Sequence, residues 1–274
     1  MVAKLEDHSR LCIHTMTTKP WSLAETIAGY TAEGVPGITV WRQHIEPYGA
    51  KEAGKMLRDS GLKVVSLCRG GFFPATGGKD REEARNDNRR AIDEAAAIGA
   101  PLVVLVCGAV PGMKLAVARQ QILDGIHAVI PHAKAAGVKL SIEPLHPMYA
   151  DCRSAINTLE QANNMVMVLD SEWVGVTVDV YHVWWDPFLR AEIKRAGNTI
   201  LSFHVCDWRT PTRDLLNDRG IMGEGCIPIR EIRDWVEGVG FDGPIEVEIF
   251  SDTYWAQDQA KYLKRIKRAY LTHV

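Results

Sequence analysis

Short runs of apolar and β-branched residues recur along the chain, separated by longer segments with helical periodicity. Several runs are continuously apolar, as in VVSLC and LVVLVC, which is typical of strands buried on both faces of a parallel sheet. The pattern predicts eight strands, at residues 11–15, 37–41, 63–68, 102–107, 138–143, 175–179, 200–204 and 244–248.

Eight helices are predicted between and after these strands, at residues 22–32, 47–60, 81–98, 113–136, 154–169, 186–196, 229–239 and 257–272. Ser22 and Glu25 form a capping-box pattern, and Pro47 is placed at the start of the second helix. Strand and helix alternate eight times in 274 residues, which predicts one (β/α)8 TIM barrel domain over residues 1–274. An open doubly wound sheet is the alternative, but no GxGxxG motif follows the first strand.

The composition is that of an ordinary soluble globular protein and argues against two classes of partner. Hydrophobic residues make up 46% and charged residues 24% of the chain, and the net charge is −2. This charge gives no reason to expect nucleic acid or an anionic membrane as a partner. The six cysteines form no CxxC pair, and neither a signal-peptide core nor an apolar run of membrane-spanning length is present. We therefore expect a cytoplasmic location.

Four consecutive predicted strands end in a residue type that binds metal ions. Strand 5 ends at Glu143, strand 6 at Asp179, strand 7 at His204 and strand 8 at Glu248. In a (β/α)8 barrel the carboxyl ends of the strands carry function. Three carboxylates and one imidazole suit one divalent ion, with Mn2+ as first choice and Mg2+, Co2+ or Zn2+ as alternatives.

The residues two positions before these strand ends are polar as well: Ser141, Thr177, Ser202 and Glu246. Because side chains alternate along a strand, they share a face with the four candidate ligands. The pattern predicts a polar layer beneath the metal site. Glu248, nearer the strand end, is the predicted ligand, and Glu246 should be hydrogen-bonded to the layer or to a basic group.

Such a metal would act as a Lewis acid on a substrate carbonyl and stabilise the enediolate formed when the neighbouring carbon loses a proton. Glu143 and Glu248 would then serve both as ligands and as general acid/base groups. His146, three residues after the first ligand, is a further candidate base or hydroxyl donor.

Five segments resemble the xylose-isomerase-like TIM barrels, the sugar phosphate isomerase/epimerase superfamily: IEPLHP (142–147), VDVYH (178–182), FHVCD (203–207), GEG (223–225) and FDGPIEVEIFS (241–251). The resemblance implies a metal held by Glu143, Asp179, His204 and Glu248. It also implies that His182, three residues after Asp179, contacts a substrate oxygen. Many relatives have an oxyanion-binding arginine six residues after the histidine ligand, but Thr210 occupies that position here, so the role passes to Arg209.

Other residues predicted to bind substrate lie at strand ends and in the loops that follow: Trp41, Arg69, Trp184 and Asp207. Phe72, Phe73 and Trp185 add aromatic faces that either stack on a sugar ring or pack at a subunit interface.

The expected function is a metal-dependent isomerase or epimerase that acts on a keto-sugar through a metal-bound enediolate. The same residues could instead serve a lyase that eliminates a group from a 3-oxo-glycoside, as in the α-subunits of C-glycoside deglycosidases, which the HPMY and YHVWWDP segments resemble more loosely. The chain would then need a small partner subunit; otherwise a homo-oligomer is the alternative. An endonuclease IV-like phosphodiesterase lacks support, because strands 3 and 4 end without additional histidine ligands. A non-catalytic sugar-binding barrel would not need the metal set.

Overall fold

A closed barrel of eight parallel strands forms the centre of the computed structural model, which describes residues 4–274. Neighbouring barrel strands follow the order β1-β10-β7-β6-β5-β4-β3-β2 around the ring. The barrel strands are β1 (Leu11–His14), β2 (Gly37–Trp41), β3 (Lys63–Gly71), β4 (Leu102–Val106), β5 (Lys139–Glu143), β6 (Val174–Asp179), β7 (Ile200–Val205) and β10 (Ile245–Val247). The predicted (β/α)8 TIM barrel is confirmed.

Eight helices follow the barrel strands, with additional short helices in the loops. The longer helices are α1 (Leu23–Ala32), α3 (Ala50–Ser60), α4 (Gly78–Ile98), α5 (Leu115–Ala136), α6 (Leu159–Leu169), α8 (Leu189–Ala196), α9 (Ile229–Gly238) and α11 (Gln259–His273). Three helices have only four residues. Two of them directly follow β2 and β6, and the third lies shortly after β10: α2 (Arg42–Ile45), α7 (Val180–Val183) and α10 (Asp252–Trp255). The sequence did not predict them, because one turn is too short to show a period.

Several predicted helix starts differ from the structure, and two of them show the physical reason. Pro47 does not begin a helix, because the chain turns through Gly49, with φ +73°, before α3 starts at Ala50. Ser154 forms a bridge with Gly108 instead of entering a helix, and α6 begins only at Leu159. The capping box of Ser22 and Glu25 at the start of α1 is confirmed.

A small antiparallel hairpin covers part of the carboxyl end of the barrel. Its strands are β8 (Asp207–Trp208) and β9 (Arg219–Gly220), which pair Asp207 with Gly220 and Trp208 with Arg219. Arg219 N–H also donates to the Phe250 carbonyl oxygen, at 2.9 Å, which ties the hairpin to the segment after β10. This connection brings Arg219 of the β7–α9 loop into contact with Asp179 and Glu248.

The register between neighbouring strands determines which polar side chains lie at the same height along the barrel. In the β6–β7 ladder Asp179 is opposite His204, and in the β10–β7 ladder Glu246 is opposite His204. His204 therefore lies between two acidic positions on neighbouring strands.

Gly71 at the end of β3 marks a close approach between backbones. It has φ +106°, and an added Cβ would lie 1.9 Å from the Val106 carbonyl oxygen. The Asn88 side chain accepts from Gly71 N–H and donates to its carbonyl oxygen, both at 2.7 Å. Only glycine fits this backbone without displacement.

The core lies between the barrel and the outer helices and is built from buried aliphatic and tyrosine side chains such as Ile38, Leu67, Ile142 and Tyr262. Among the described residues, no helix combines the length and the apolar character needed to cross a membrane.

Candidate metal and substrate site

The four predicted ligands converge at the carboxyl end of the barrel. Glu143, Asp179, His204 and Glu248 each present one donor atom, and these atoms all lie within 4.8 Å of one another. All four side chains are buried. Strand ends from four neighbouring positions of the ring thus bring three carboxylates and an imidazole to one point.

Local backbone structure helps to position Asp179 and Glu248. Asp179 ends β6 and caps α7, with its Oδ1 accepting from Tyr181 N–H at 2.8 Å. Its Oδ2 remains directed to the cluster, where it meets Arg219. Glu248 continues the β10 ladder, since its N–H donates to the Val205 carbonyl oxygen at 3.1 Å.

Two buried polar atoms at the centre lack hydrogen bonds in the described part of the chain. Glu143 Oε1 and His204 Nδ1 lie 3.2 Å apart without hydrogen-bond alignment. A buried polar atom without a partner is costly unless something else satisfies it. Because the donors are carboxylate oxygens and an imidazole nitrogen, the arrangement fits a divalent cation.

Arg219 is the principal functional residue that the sequence reasoning missed. Its guanidinium is buried, with Nη1 2.6 Å from Glu248 Oε2 and 3.2 Å from Asp179 Oδ2. Its Nη2 lies 3.2 Å from His182 Nε2. A buried cation thus contacts two of the four candidate metal ligands.

Burial and Arg219 leave the pKa values of Asp179 and Glu248 shifted in opposite directions. Burial raises the pKa of Asp179 to about 7, although Arg219 opposes this. Burial alone would raise the pKa of Glu248 as well, but Arg219 and His14 outweigh it and hold that pKa well below its usual range. Burial and the nearby Arg219 lower the pKa of His182 far below its ordinary value, so this imidazole is neutral.

Beneath the donors lies the predicted polar layer. Ser141 and Thr177 hydroxyls are 2.6 Å apart, and Ser202 Oγ donates to Glu246 and lies 2.8 Å from His204 Nε2. Glu246 is buried and hydrogen-bonded, as expected for the deeper glutamate. Burial alone would raise its pKa, but His204 and His14 outweigh it and lower the pKa to about 2.

His14, at the end of β1, was not singled out from the sequence. Its Nε2 lies 3.2 Å from Glu246 Oε2, and its Nδ1 lies 3.1 Å from Glu248 Oε1. Burial alone would lower its pKa, but Glu248 and Glu246 raise the pKa to about 9. The strand-end rule that identified the other ligands applied equally to His14, but strand 1 was predicted to extend to Thr15.

His182 and His146 lie side by side at the edge of the cluster. The backbone N–H of His146 donates to His182 Nδ1 at 3.3 Å. The Nδ1 of His146 accepts from Met148 N–H at 3.2 Å, so the neutral ring carries its proton on Nε2. In this tautomer the Nε2–H of His146 can donate a hydrogen bond to a hydroxyl group, and Nε2 has no lone pair with which to act as a base.

An aromatic wall surrounds His146. Its ring centroid is 4.9 Å from that of Trp208 and 5.8 Å from that of Trp185. Trp208 stacks on Tyr181 at 4.8 Å and lies 5.7 Å from Trp184. Trp184 therefore belongs to this wall. Its contact with a substrate stays a prediction.

Trp41 and Arg69 occupy the opposite side of the barrel mouth. Trp41 is buried, with its indole nitrogen 3.2 Å from His14 Nδ1 and its ring edge-on to Phe250. Arg69 is half-buried and stacks on Phe72, with 4.1 Å between the guanidinium carbon and the ring centroid. Burial lowers the pKa of Arg69 to about 10, and Arg153 contributes to this.

Asp207 and Arg209, which were predicted to bind substrate, contact other parts of the protein instead. Asp207 is buried and accepts from the backbone N–H groups of Trp208, Gly223 and Ile227, at 2.8–3.0 Å. Arg209 lies 3.8 Å from Asp218 and faces the Tyr254 ring. The structure thus places Asp207 in the hairpin loop as an acceptor of backbone N–H groups, and it is Arg219, not Arg209, that contacts the candidate metal ligands.

No spacing rule in the sequence distinguishes Arg219 from the other arginines of the same loop. Arg209, Arg213 and Arg219 all follow His204, and the hairpin alone turns Arg219 inward while Arg213 pairs with Asp218. The usable signal was the Gly223-Glu224-Gly225 motif, four residues beyond Arg219. A Cβ at Gly225 would lie 2.2 Å from the Trp208 carbonyl oxygen, so the motif marks where this loop folds back tightly on β8.

Comparison with known proteins agrees with this architecture. The family model described as xylose isomerase-like TIM barrel matches residues 28–266. A crystal structure of a protein from Sinorhizobium meliloti 1021 is 46% identical, with a TM-score of 0.94, over 97% of this chain and 98% of that one. The IolI protein, in a crystal structure with a bound zinc atom, is 20% identical, with a TM-score of 0.85, over 96% of this chain and 97% of that one.

Among curated proteins, the inosose isomerase of Bacillus licheniformis is 26% identical over 139 residues, which are 49% of this chain and 48% of that protein. The matching region thus spans about half the length of this curated relative.

Proposed function

Because the chain belongs to the xylose isomerase-like TIM barrel family, we propose that it is a divalent-metal-dependent isomerase or epimerase of keto-sugars. The proposed reaction begins with removal of a proton from the carbon beside a carbonyl. Similarity to an inosose isomerase supports a small polyhydroxylated ketone as the substrate.

The observation that carries this proposal is the convergence of two glutamates from separate strands. Glu143 ends β5 and Glu248 follows β10, with β7 and β6 between them in the ring, yet their donor oxygens lie within 4.8 Å. Each carboxylate can therefore reach a substrate held between them from a different side. One would take the proton from a carbon, and the other would return a proton to the opposite face or to the neighbouring carbon.

Glu143, Asp179, His204 and Glu248 are the residues that would hold the ion, with Mn2+ as first choice for these oxygen and nitrogen donors. When bound, a divalent ion supplies Lewis acidity that makes a C–H bond beside a carbonyl more acidic. Support comes from the unpartnered Glu143 Oε1 and His204 Nδ1, and from the zinc atom in the IolI structure.

Three further side chains would bind the substrate's oxygens. The Arg219 guanidinium would stabilise negative charge on an oxygen beside the reacting carbon, because it is buried and fixed by two carboxylates. His182 touches Arg219 and would contact the neighbouring hydroxyl. His146, with its proton on Nε2, would donate to a hydroxyl further along the sugar.

Solvent deuterium exchange tests the proposal. The Mn2+-loaded protein should introduce deuterium beside the carbonyl of an inosose or a free ketose, which mass spectrometry or NMR detects. Glu143→Gln and Glu248→Gln should both lose turnover. The control is Glu172→Gln, an exposed position two residues before β6 at the opposite end of the barrel. If both glutamine variants retained wild-type rates, the two-glutamate scheme would be refuted.

The aromatic wall favours one second candidate. The stacked Tyr181 and Trp208 rings, with His146 beside them, suit a flat aglycone next to the sugar. In that reaction a base removes the C2 proton of a 3-oxo-glycoside, the bond from C1 to the aglycone breaks, and the aglycone leaves with a proton donated by His146. Release of free aglycone from a 3-oxo-glycoside, without an isomerised sugar, would identify the lyase.

A further inference from the structure

We infer that Glu246 is a positioning residue that acts through Ser202 to orient His204, so that its Nδ1 faces the metal site. The inference rests on the proposed metal-dependent function. It concerns which ring nitrogen of His204 is free to bind a metal ion. It assigns control of the ring orientation to Glu246, which lies one layer below the candidate ligands.

Glu246 is surrounded by hydroxyl groups that can only donate to it. Its Oε2 accepts from Thr39 Oγ1 at 2.5 Å and from Ser66 Oγ at 3.0 Å, and its Oε1 accepts from Ser202 Oγ. An ionised carboxylate has no proton to give, so these directions are fixed. His14 Nε2, 3.2 Å from Oε2, supplies a further polar neighbour.

The direction at Ser202 then determines the proton position on His204. A serine hydroxyl has one proton, and Ser202 uses it toward Glu246. Its contact with His204 Nε2, at 2.8 Å, must therefore be one in which the imidazole N–H donates and the hydroxyl accepts. A neutral His204 with its proton on Nε2 carries its lone pair on Nδ1.

The lone pair on His204 Nδ1 faces the cluster of candidate metal ligands. His204 Nδ1 is buried, has no hydrogen-bond partner among the described residues and lies 3.2 Å from Glu143 Oε1. Metal-bound histidines commonly donate their other N–H to a carboxylate or to a group bonded to one, which fixes the ring and the tautomer. Here the serine connects the imidazole to the carboxylate.

The first experiment compares two serines of the same layer. Ser202→Ala removes the acceptor of the His204 N–H and should weaken Zn2+ binding on the order of 10–100-fold, measured by competition with a chelating dye. Ser141→Ala is the matched control, because Ser141 is equally buried but bonds Thr177 instead of a metal ligand. Its Zn2+ affinity should stay at the wild-type value.

The second experiment reads the tautomer directly. In Zn2+-loaded wild-type protein with 15N-labelled histidine, His204 should show a metal-bound Nδ1 and a protonated Nε2. Glu246→Gln keeps the shape, but its amide nitrogen can donate to Ser202 and reverse the hydrogen bond to His204. This variant should lose Zn2+ affinity as Ser202→Ala does.

The outcomes separate the two proposals. Wild-type protein that binds no divalent ion would overturn the metal site and this inference together. Wild-type protein that binds Zn2+ while Ser202→Ala binds it equally well would overturn this inference alone, as would ligation through His204 Nε2.

Discussion

The guanidinium of Arg219 lies 2.6 Å from Glu248 and 3.2 Å from Asp179, so one buried cation bridges two carboxylates that come from different barrel strands. The Arg219 side chain is 4% exposed. Without this charge, burying so many acids at one point would be costly. The arginine therefore balances the charge of the acidic cluster, and in the proposed function its remaining N–H groups would face the substrate.

Replacing Arg219 by lysine should separate these two roles. Arg219→Lys keeps the charge but loses the planar fork that reaches both carboxylates and His182. We expect kcat/KM to fall about 100-fold or more, as for the loss of an oxyanion donor. Arg209→Lys in the same loop is the control and should stay near wild type. A larger loss for Arg209→Lys would restore the oxyanion role to Arg209.

Removing the metal should abolish activity and leave the fold intact. The barrel has its own extensive core, so a bound ion adds stability only through ligand linkage. After EDTA treatment, we expect no deuterium exchange into a keto-sugar, a near-native circular dichroism spectrum, and recovery of exchange when Mn2+ is added. Unfolding at room temperature on chelation would show a structural site instead.

His146→Ala should reduce turnover without stopping proton abstraction. Because its Nδ1 accepts from Met148 N–H, the neutral ring offers a proton and not a lone pair at Nε2. We expect a roughly tenfold to hundredfold lower kcat, within the usual range for a lost acid, and continued solvent exchange of the α-proton. Complete loss of exchange would identify His146 as the base.

Acid should destabilise the protein partly through His44. This side chain is buried in α2, its Nδ1 lies 3.1 Å from Thr15 Oγ1, and burial lowers its pKa to about 4. The unfolded histidine, with a pKa near 6.5, binds protons more readily. The contribution of His44 is therefore complete above pH 6.5 and is lost as the pH falls toward 4.

The measurement is the free energy of unfolding in urea at pH 7 and at pH 4. His44→Gln should lose less stability on acidification than wild type, by roughly 3 kcal/mol at most. His127→Gln, exposed on α5, is the control, because that imidazole is solvated in both states. Equal acid sensitivity of His44→Gln and wild type would contradict the assignment.

Gly71→Ala should be strongly destabilising. The new Cβ would meet the Val106 carbonyl oxygen at 1.9 Å, and the backbone has φ +106°. We expect a loss of about 3 kcal/mol or more, from displacement of β3 against β4. Gly238→Ala at the end of α9 has open space and should be neutral or gain up to about 1 kcal/mol. Similar melting temperatures for the two variants would refute the steric argument.

The barrel and the four converging side chains were accessible from the sequence because each depends on local periodicity. Apolar runs identify strands, and alternation places Glu248 two residues above Glu246 on one face. That the four would lie at one point followed from closure of the ring. That they bind a metal is still a prediction.

Arg219 and His14 could not be obtained in this way. Arg219 reaches the cluster from a hairpin whose path depends on nonlocal contacts, such as Asp207 with Gly223 and Ile227. His14 was hidden because the end of β1 is one residue earlier than the prediction, at His14 instead of Thr15. An error of one residue exchanges the inward and outward faces of a strand.

The β8–β9 hairpin has a consequence for how such a protein can diversify. The candidate metal ligands end barrel strands or, for Glu248, directly follow one, and the closed ring holds these strands in register, whereas Arg219 belongs to a loop anchored by Asp207. Under the proposed function, insertions or exchanges in residues 209–218 would alter which substrate oxygens are recognised while the reacting centre stays in place. Evolution can in this way adjust substrate choice separately from chemistry, by remodelling one surface loop.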